Sequence, residues 1–178
     1  MVDVAPKGLN HLAFLTWDTR ATVQFYEDVL GMPLVYTVVE DKVPSAGVTN
    51  SPFLHTFFDM GNGELLGFIE IDGLPPERPD PNIPTWPRHI AIRVDSLEAL
   101  EARRQALLAR GVAVSAIHGH GEGSRSIYVF DPNGVRLEFC WSVRPEWTPD
   151  LRQRARDLVE QTAPVYRHPA AQAAVAAR

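Results

Sequence analysis

The sequence has only one cysteine, Cys140, among its 178 residues. A single cysteine excludes a disulfide framework within the chain and is typical of proteins from a reducing compartment. No apolar run approaches the roughly 20 residues that a membrane-spanning helix needs. The first residues also lack the apolar segment of a secretory signal. We therefore expect a cytoplasmic protein that does not enter a membrane.

An excess of positive charge is also missing. The formal net charge is −5, so the chain has no basic footprint and nucleic acid is not expected as a partner. Hydrophobic residues make up 45% and charged residues 22% of the sequence, which is ordinary for a globular protein. The length suffices for one domain with a proper core or for two small fused modules.

The most informative stretch is residues 126–141, where two runs rich in β-branched and aromatic residues flank the turn 131–134. Pro132 favours a turn and Gly134 supplies a positive φ, so the stretch predicts a β-hairpin. Glu138 lies in the middle of the apolar second strand. A buried carboxylate is costly unless it is paired or binds a metal. For a lone glutamate the alternative is a surface position on a half-exposed strand.

The rest of the chain repeats one unit. Each copy begins with a strand that carries a His-x-Ala sequence, continues with a helix, and ends in three strands. The helices are predicted to begin at an aspartate and end at a glycine: Asp18 and Gly31 in the first copy, Asp95 and Gly111 in the second. Val112–Ile117 is predicted to be the second strand of the second copy. A repeat of whole units predicts two βαβββ modules.

These patterns predict an α+β fold with four segments. Residues 1–73 form the first module, 74–87 a proline-rich linker, 88–142 the second module, and 143–178 a C-terminal extension. The extension contains an amphipathic helix, predicted over residues 149–162.

Two histidines and one glutamate are the candidate metal ligands. His11 and His89 occupy equivalent positions in the two modules, so a pseudo-twofold axis is expected to bring them together, with Glu138 beside them. Two imidazoles and one carboxylate suit Fe(II), and also Mn(II). The first-module position that corresponds to Glu138 is Gly67, and nearby Glu70 has the opposite strand parity, so we expect three ligands rather than four. A single strand histidine is more often a core residue; the repeat favours the metal site.

About residues 7–142 resemble the vicinal oxygen chelate superfamily of glyoxalases, bleomycin-resistance proteins, fosfomycin-resistance enzymes and type I extradiol dioxygenases. The resemblance rests on Asn10-His11-Leu12-Ala13, Phe25-Tyr26, Leu30-Gly31, Arg88-His89-Ile90-Ala91 and the 131–134 hairpin that leads to Glu138. It implies paired βαβββ modules whose curved mixed sheet encloses a metal cup. It also leads us to expect a homodimer.

Within the superfamily, the details are most similar to extradiol dioxygenases. Tyr128 lies ten residues before Glu138, His118 and His120 lie just upstream, and His55 stands on the third strand of the first module. The resemblance implies that His55 moves a catechol proton and Tyr128 donates to a substrate oxygen. His120, or else His118, hydrogen-bonds the substrate from a glycine-rich loop. The implied cofactor is Fe(II) or Mn(II), and the implied substrates are a catechol-like aromatic compound and O₂.

Several alternatives stay open at this point. Tyr128 could fill the sheet interior with its hydroxyl on a backbone carbonyl, His118 and His120 could belong to a solvated loop, and His55 could be a half-buried strand residue. At the level of function, one alternative is a metal-dependent glyoxalase-like lyase or isomerase, or a fosfomycin-type transferase. Another is a non-catalytic protein that binds an aromatic drug, as bleomycin-resistance proteins do.

Overall fold

A computed structural model describes residues 8–41, 51–76, 84–119, 123–143 and 148–162. It divides the chain into two compact units, residues 1–142 and residues 143–178. The first unit contains both βαβββ modules, which share one core, and the second contains a single described helix.

The first module consists of strand β1 (His11–Leu15), helix α1 (Thr19–Val23) and strands β2 (Leu34–Glu40), β3 (Phe53–Asp59) and β4 (Leu65–Ile71). Its sheet has the order β1-β4-β3-β2, with β1 parallel to β4 and the other pairs antiparallel. Helix α1 continues as a wider π-helical turn over Gln24–Val29, which the sequence pattern did not predict. That turn buries the side chains of Phe25 and Tyr26.

The second module repeats this arrangement with strand β5 (His89–Arg93), helix α2 (Leu97–Ala109) and strands β6 (His118–Gly119), β7 (Ser124–Phe130) and β8 (Arg136–Ser142). Its sheet has the order β5-β8-β7-β6, with β5 parallel to β8. The duplicated α+β fold predicted from the sequence is therefore confirmed.

Two local predictions for the second module were wrong. The segment predicted as a strand over 112–117 has no regular strand structure, and β6 follows it as only two residues. Along this segment the Ser115 hydroxyl accepts a hydrogen bond from the Tyr128 amide at 3.0 Å, which replaces a backbone ladder bond by a side-chain one. Helix α2 is capped by Ser96, whose hydroxyl accepts from the Ala99 amide at 3.1 Å, rather than by Asp95.

Helix α1 is capped by Asp18, as predicted, and its first residue also bonds the side chain of Glu70. Asp18 accepts a hydrogen bond from the Ala21 amide at 3.0 Å, as a helix-capping aspartate does. Glu70 of β4 accepts from the amide of Thr19 at 2.9 Å. Glu70 therefore points to the helix side of its sheet, as its strand parity predicted.

Each sheet has one face toward the helices and one face away from them. The helix-side faces and the helices form one core, whose fully buried members include Tyr26, Phe58, Leu66, Phe68, Leu100, Leu107, Ile127, Leu137 and Phe139. Because side chains alternate along β4 and β8, Gly67 and Glu138 lie on the faces that point away from the helices. We call the face that carries Gly67 the first cup face and the face that carries Glu138 the second cup face.

The turn after β7 joins the two modules. Asp131 is 5% exposed, and its carboxylate accepts from the amides of Asn133 and Val135 at 2.9 and 2.7 Å and from the Tyr26 hydroxyl at 3.1 Å. The Asn133 side chain accepts from Thr16 at 2.8 Å, which lies just after β1. The hairpin turn is thus fixed to the first module by buried polar contacts.

In the second unit, helix α3 spans Pro149–Thr162, the residues that the sequence predicted. Its first turn is capped by the Thr148 hydroxyl, which accepts from the Leu151 amide at 3.2 Å. In the part of the chain that the structure describes, no helix combines the length and the apolarity of a membrane span.

Candidate metal site

The second cup face carries most of the residues proposed as the site. The strand registers pair Ala91 of β5 and Tyr128 of β7 with Glu138 of β8, and His89 with Arg136. Alternation puts all these side chains on one face. Four of them, His89, Tyr128, Arg136 and Glu138, border a cleft of about 1000 Å³, whose lining also includes Trp86, Ser115, His118 and Ser124.

His89 and Glu138 converge in this cleft. The His89 Nε2 atom lies 3.0 Å from the Oε2 atom of Glu138. The other carboxylate oxygen, Oε1, accepts a hydrogen bond from the Ser126 hydroxyl at 2.5 Å. Each oxygen of this carboxylate, which is only 7% exposed, thus has a separate partner, and its orientation is fixed.

The second nitrogen of His89 is also engaged. Its Nδ1 atom lies 3.1 Å from the backbone carbonyl oxygen of Trp86. Because a carbonyl oxygen can only accept, Nδ1 carries a proton and donates it, which leaves Nε2 as the ring nitrogen that faces Glu138. Metal-binding histidines are commonly fixed by such a partner on the other ring nitrogen, so the pair fits a divalent ion.

Tyr128 lies across from Glu138 and next to two histidines. Its ring centroid is 6.3 Å from that of His89 and 6.0 Å from that of His118. Burial, and then the negative charge of Glu138, raise the pKa of the Tyr128 hydroxyl, against the smaller opposing effects of Ser126 and Arg136. The hydroxyl therefore keeps its proton at neutral pH.

The first cup face holds the other two histidines of interest. The His11 Nδ1 atom lies 2.7 Å from the Asn10 side-chain oxygen, so a proton on Nδ1 leaves Nε2 as an acceptor, as in His89. The ring centroid of His55 is 6.1 Å from that of His11 and 3.9 Å from that of Phe57. The Nε2 atom of His55 is buried and has no hydrogen-bond partner among the residues that the structure describes. Burial, and then His11, lower the pKa of His55, so its ring is neutral at pH 7.

A comparison of the two faces shows what His55 replaces. Ala13 and Phe57 pair with Gly67 just as Ala91 and Tyr128 pair with Glu138. Gly67 is therefore equivalent to Glu138, as predicted, and His55 is equivalent to Ser126. A Cβ atom on Gly67 would lie only 2.7 Å from His55 Nε2. The imidazole of His55 thus occupies the room that a side chain at position 67 would need.

The structure does not bring the three predicted ligands together within one chain. Among residues 8–41, 51–76, 84–119, 123–143 and 148–162, no group of three His, Cys, Asp or Glu side chains is arranged to hold a metal. His89 and Glu138 form one half-site and His11 stands on the other face. The modules contact each other through the hairpin turn and helices, including Arg103 to the Leu30 carbonyl at 2.8 Å. The expected meeting of His11 and His89 across the pseudo-twofold axis is therefore wrong for a single chain.

The remaining site predictions differ in outcome. His118 lines the cleft beside Tyr128, whereas His120 lies outside the described residues. Trp86 and Arg136 line the cleft, and Ser126 contacts Glu138, but none of the three was predicted as a site residue. The sequence could have indicated Arg136, because it lies two residues before Glu138 and therefore on the same face of β8. It could have indicated Ser126 in the same way, because Ser126 lies two residues before Tyr128 on β7. The roles assigned to individual residues stay predictions.

Comparison with known proteins agrees with the observed fold. The sequence profile of the Glyoxalase/Bleomycin resistance protein/Dioxygenase superfamily matches residues 8–139. No curated protein sequence matches the chain. Among solved structures, a glyoxylase/bleomycin resistance protein/dioxygenase domain from Frankia sp. EAN1pec is similar, with a TM-score of 0.59 and 18% identity over 78% of this chain and 100% of that one.

Two further similar structures have more specific names. The lactoylglutathione lyase from Agrobacterium tumefaciens has a TM-score of 0.53 and 23% identity, covering 76% of this chain and 94% of its own. The fosfomycin resistance protein FosX from Listeria monocytogenes has a TM-score of 0.56 and 21% identity, covering 78% and 94%. A variant of the Listeria protein was solved with Mn(II) and 1S,2S-dihydroxypropylphosphonic acid. At these identities the similarity shows a shared fold and not a shared reaction.

Proposed function

Because the chain belongs to the Glyoxalase/Bleomycin resistance protein/Dioxygenase superfamily, we propose that it is an enzyme that uses a divalent metal ion. The observation that carries the proposal is the approach of His89 Nε2 to Glu138 Oε2 at 3.0 Å. The other ring nitrogen of His89 and the other carboxylate oxygen of Glu138 each have a hydrogen-bond partner of their own. The Mn(II) complex of the similar Listeria protein supports a divalent ion in this fold. Fe(II) or Mn(II) suits a set of two imidazoles and one carboxylate.

The third ligand in this proposal is His11 from a second copy of the chain. Both cup faces are open in one chain, and small residues at their centres, Ala13 and Ala91, are exposed. A twofold dimer that pairs the first face of one copy with the second face of the other would cover both. It would also complete two equivalent sites, each with His11 from one copy and His89 and Glu138 from the other.

We further propose extradiol cleavage of a catechol-like ring as the reaction. Bound to these ligands, the ion would supply open coordination positions for the substrate oxygens and O₂, and a path for electrons from the catecholate ring to O₂. The protein's contribution is to orient the substrate and to move protons. Tyr128 keeps its proton at neutral pH and is placed on the cleft beside Glu138, so it would donate to a substrate oxygen. His118, on the same cleft, would add a second hydrogen bond.

His55 is the proposed acid-base group. Its buried Nε2 atom lacks a hydrogen-bond partner and its pKa is lowered, which describes a neutral base ready to accept a proton from a catechol hydroxyl. In the proposed dimer it lies on the same face as His11 and would therefore approach the cleft of the other copy. The same group would return the proton to the oxygen of the opened ring.

Lewis-acid chemistry by the same ligands is the second candidate. The lactoylglutathione lyase and the fosfomycin resistance protein share the fold, and both kinds of reaction suit a metal with open positions. In a glyoxalase I a fourth ligand is expected, and here Gly67 stands at the equivalent position. This departure favours the three-ligand dioxygenase.

One experiment separates these functions. The protein is loaded anaerobically with Fe(II) or Mn(II), its metal content is measured, and catechols are added with air while O₂ uptake and the yellow ring-fission product are followed. Metal-dependent O₂ uptake with coloured product supports the dioxygenase. Bound metal without O₂ uptake supports the Lewis-acid enzyme, and a protein that binds no metal supports the aromatic-binding protein. His89→Ala and Glu138→Gln are expected to abolish metal binding.

A further inference from the structure

An arginine stands beside the candidate metal ligands and has no acidic partner in the described part of the chain. Arg136 shares the second cup face with Glu138 and is the register partner of His89. Its guanidinium carbon lies 3.9 Å from the centroid of the Tyr128 ring, and one terminal nitrogen donates to the Trp86 carbonyl at 2.7 Å. The same carbonyl also accepts from His89. The guanidinium is thus held against the wall of the cleft.

The contacts of Arg136 leave most of its hydrogen-bonding capacity unused. A guanidinium has five N–H donors, and within the described residues the bond to Trp86 uses one of them. The described ion pairs involve other residues, so no described carboxylate lies within ion-pair distance of Arg136. Glu138 is the one acidic side chain among the described residues that line the cleft, and it already contacts His89 and Ser126.

The charge count favours an anionic ligand. Within the described lining, Arg136 and Glu138 cancel, so a divalent ion at the proposed site would leave the cleft with two positive charges. Tyr128 stacks under the guanidinium, which fixes its plane and reduces the conformational entropy lost on binding. A planar, fixed fork of donors is the arrangement that recognises a carboxylate by two parallel hydrogen bonds.

We propose that Arg136 is a specificity-determining residue, which binds a carboxylate attached to the aromatic ring of the substrate. Positions 136 and 138 lie on the same face of β8 and are two residues apart, so their Cα atoms are about 7 Å apart. That separation suits a benzene ring with its vicinal oxygens at the metal ligands and an acidic substituent at the far end. This inference rests on the proposed catechol-cleaving function and narrows its substrate to catechol carboxylates.

A purely structural role for Arg136 makes a different prediction. As a clamp between Tyr128 and the Trp86 carbonyl, the side chain would contribute to stability alone. Its replacement would then lower the thermal midpoint without changing the relative affinity for charged and neutral ligands.

Calorimetric titration under anaerobic conditions tests the proposal without turnover. The Mn(II)-loaded and the metal-free protein are titrated with 3,4-dihydroxyphenylacetate, with its neutral methyl ester and with 3,4-dihydroxyphenylphosphonate. The variants are Arg136→Gln, Arg136→Lys and, as a control that removes one exposed positive charge on helix α1, Arg20→Gln. We expect the natural sequence and Arg20→Gln to bind the acid about 10- to 100-fold more tightly than the ester. Arg136→Gln should abolish this preference, and Arg136→Lys should keep part of it.

The outcomes separate this inference from the function on which it rests. Equal binding of acid and ester, a preference that persists in Arg136→Gln, or a loss of thermal stability alone would each overturn the role of Arg136. Tighter binding of the phosphonate than of the carboxylate would overturn the substrate class. An Arg136-dependent preference without any ring cleavage in air would support the anion site and reject the dioxygenase. Cleavage of the acid and the ester at equal rates, by the natural sequence and by Arg136→Gln alike, would support the dioxygenase and reject the anion site.

Discussion

A metal site shared between two copies can be tested by mixing two inactive variants. His11→Ala removes the ligand on the first cup face, and Glu138→Gln removes one on the second. In a twofold dimer, each site takes His11 from one copy and His89 with Glu138 from the other. A hybrid of the two variants therefore contains one site with both substitutions and one site with neither.

The expected magnitude follows from counting sites. Random exchange between equal amounts of the variants makes about half of the dimers hybrids, and half of the sites in a hybrid are intact, so roughly a quarter of all sites bind metal. Each variant alone should bind none tightly, because the orientation of the remaining pair cannot replace a lost ligand. The readout is tightly bound Mn(II) per chain after unfolding and refolding the mixture and removing free metal.

A matched control uses two variants of the same half-site. His89 and Glu138 lie 3.0 Å apart on one face of one chain, so a hybrid of His89→Ala and Glu138→Gln has no intact site. That mixture should bind no metal, whereas the first mixture should recover about a quarter of the full content. Recovery in neither mixture, with dimers present, would refute the shared site. Full metal binding by His11→Ala alone would remove His11 from the ligand set.

Three further predictions concern the first face and the junction. His55→Ala should retain metal but slow ring cleavage about 10²- to 10⁴-fold, measured as O₂ uptake, and full turnover would exclude an acid-base role. Gly67→Ala puts a Cβ 2.7 Å from His55 Nε2, so activity should fall while the metal content stays unchanged. Full activity in this variant would show that the imidazole moves aside without effect. Burial raises the pKa of Asp131 above its ordinary 3.8, so the free energy of unfolding should fall as pH rises from about 4 through the raised pKa. Asp131→Asn should remove that pH dependence in urea titrations, and an unchanged slope would contradict it.

Features set by near neighbours in the chain were predictable. On β4, Gly67 and Ile69 lie on one face of the sheet and the buried Leu66 and Phe68 lie on the other. This division follows from odd and even positions along the strand, which can be counted in the sequence. Asp18 caps helix α1 because a short acceptor before a helical run satisfies its first amides. The equivalence of Gly67 and Glu138 also followed, since strand parity depends only on the position along each strand.

Features decided by competing partners were not predictable. Asp95 and Ser96 are both good caps, and only the backbone at Ser96 puts its hydroxyl on the Ala99 amide. The segment over 112–117 has strand-forming residues, yet Ser115 bonds the Tyr128 amide through its side chain and the ladder is interrupted. The wide turn at Phe25 and Tyr26 has no local signal, and the partners of Tyr26 lie far away in sequence: its ring packs on Phe58 and Phe68 and its hydroxyl bonds Asp131.

The division of the site into halves has the same origin. Sequence repetition predicts which residues are equivalent, but it does not say which surfaces of the two modules meet. That choice depends on contacts far apart in sequence, such as the Tyr26 hydroxyl on Asp131 and Thr16 on Asn133. With these contacts satisfied, the helix-side faces are buried within the chain and the cup faces stay open. A ligand set that spans both faces can then be completed only by association of two chains, so metal affinity in this protein should depend on protein concentration.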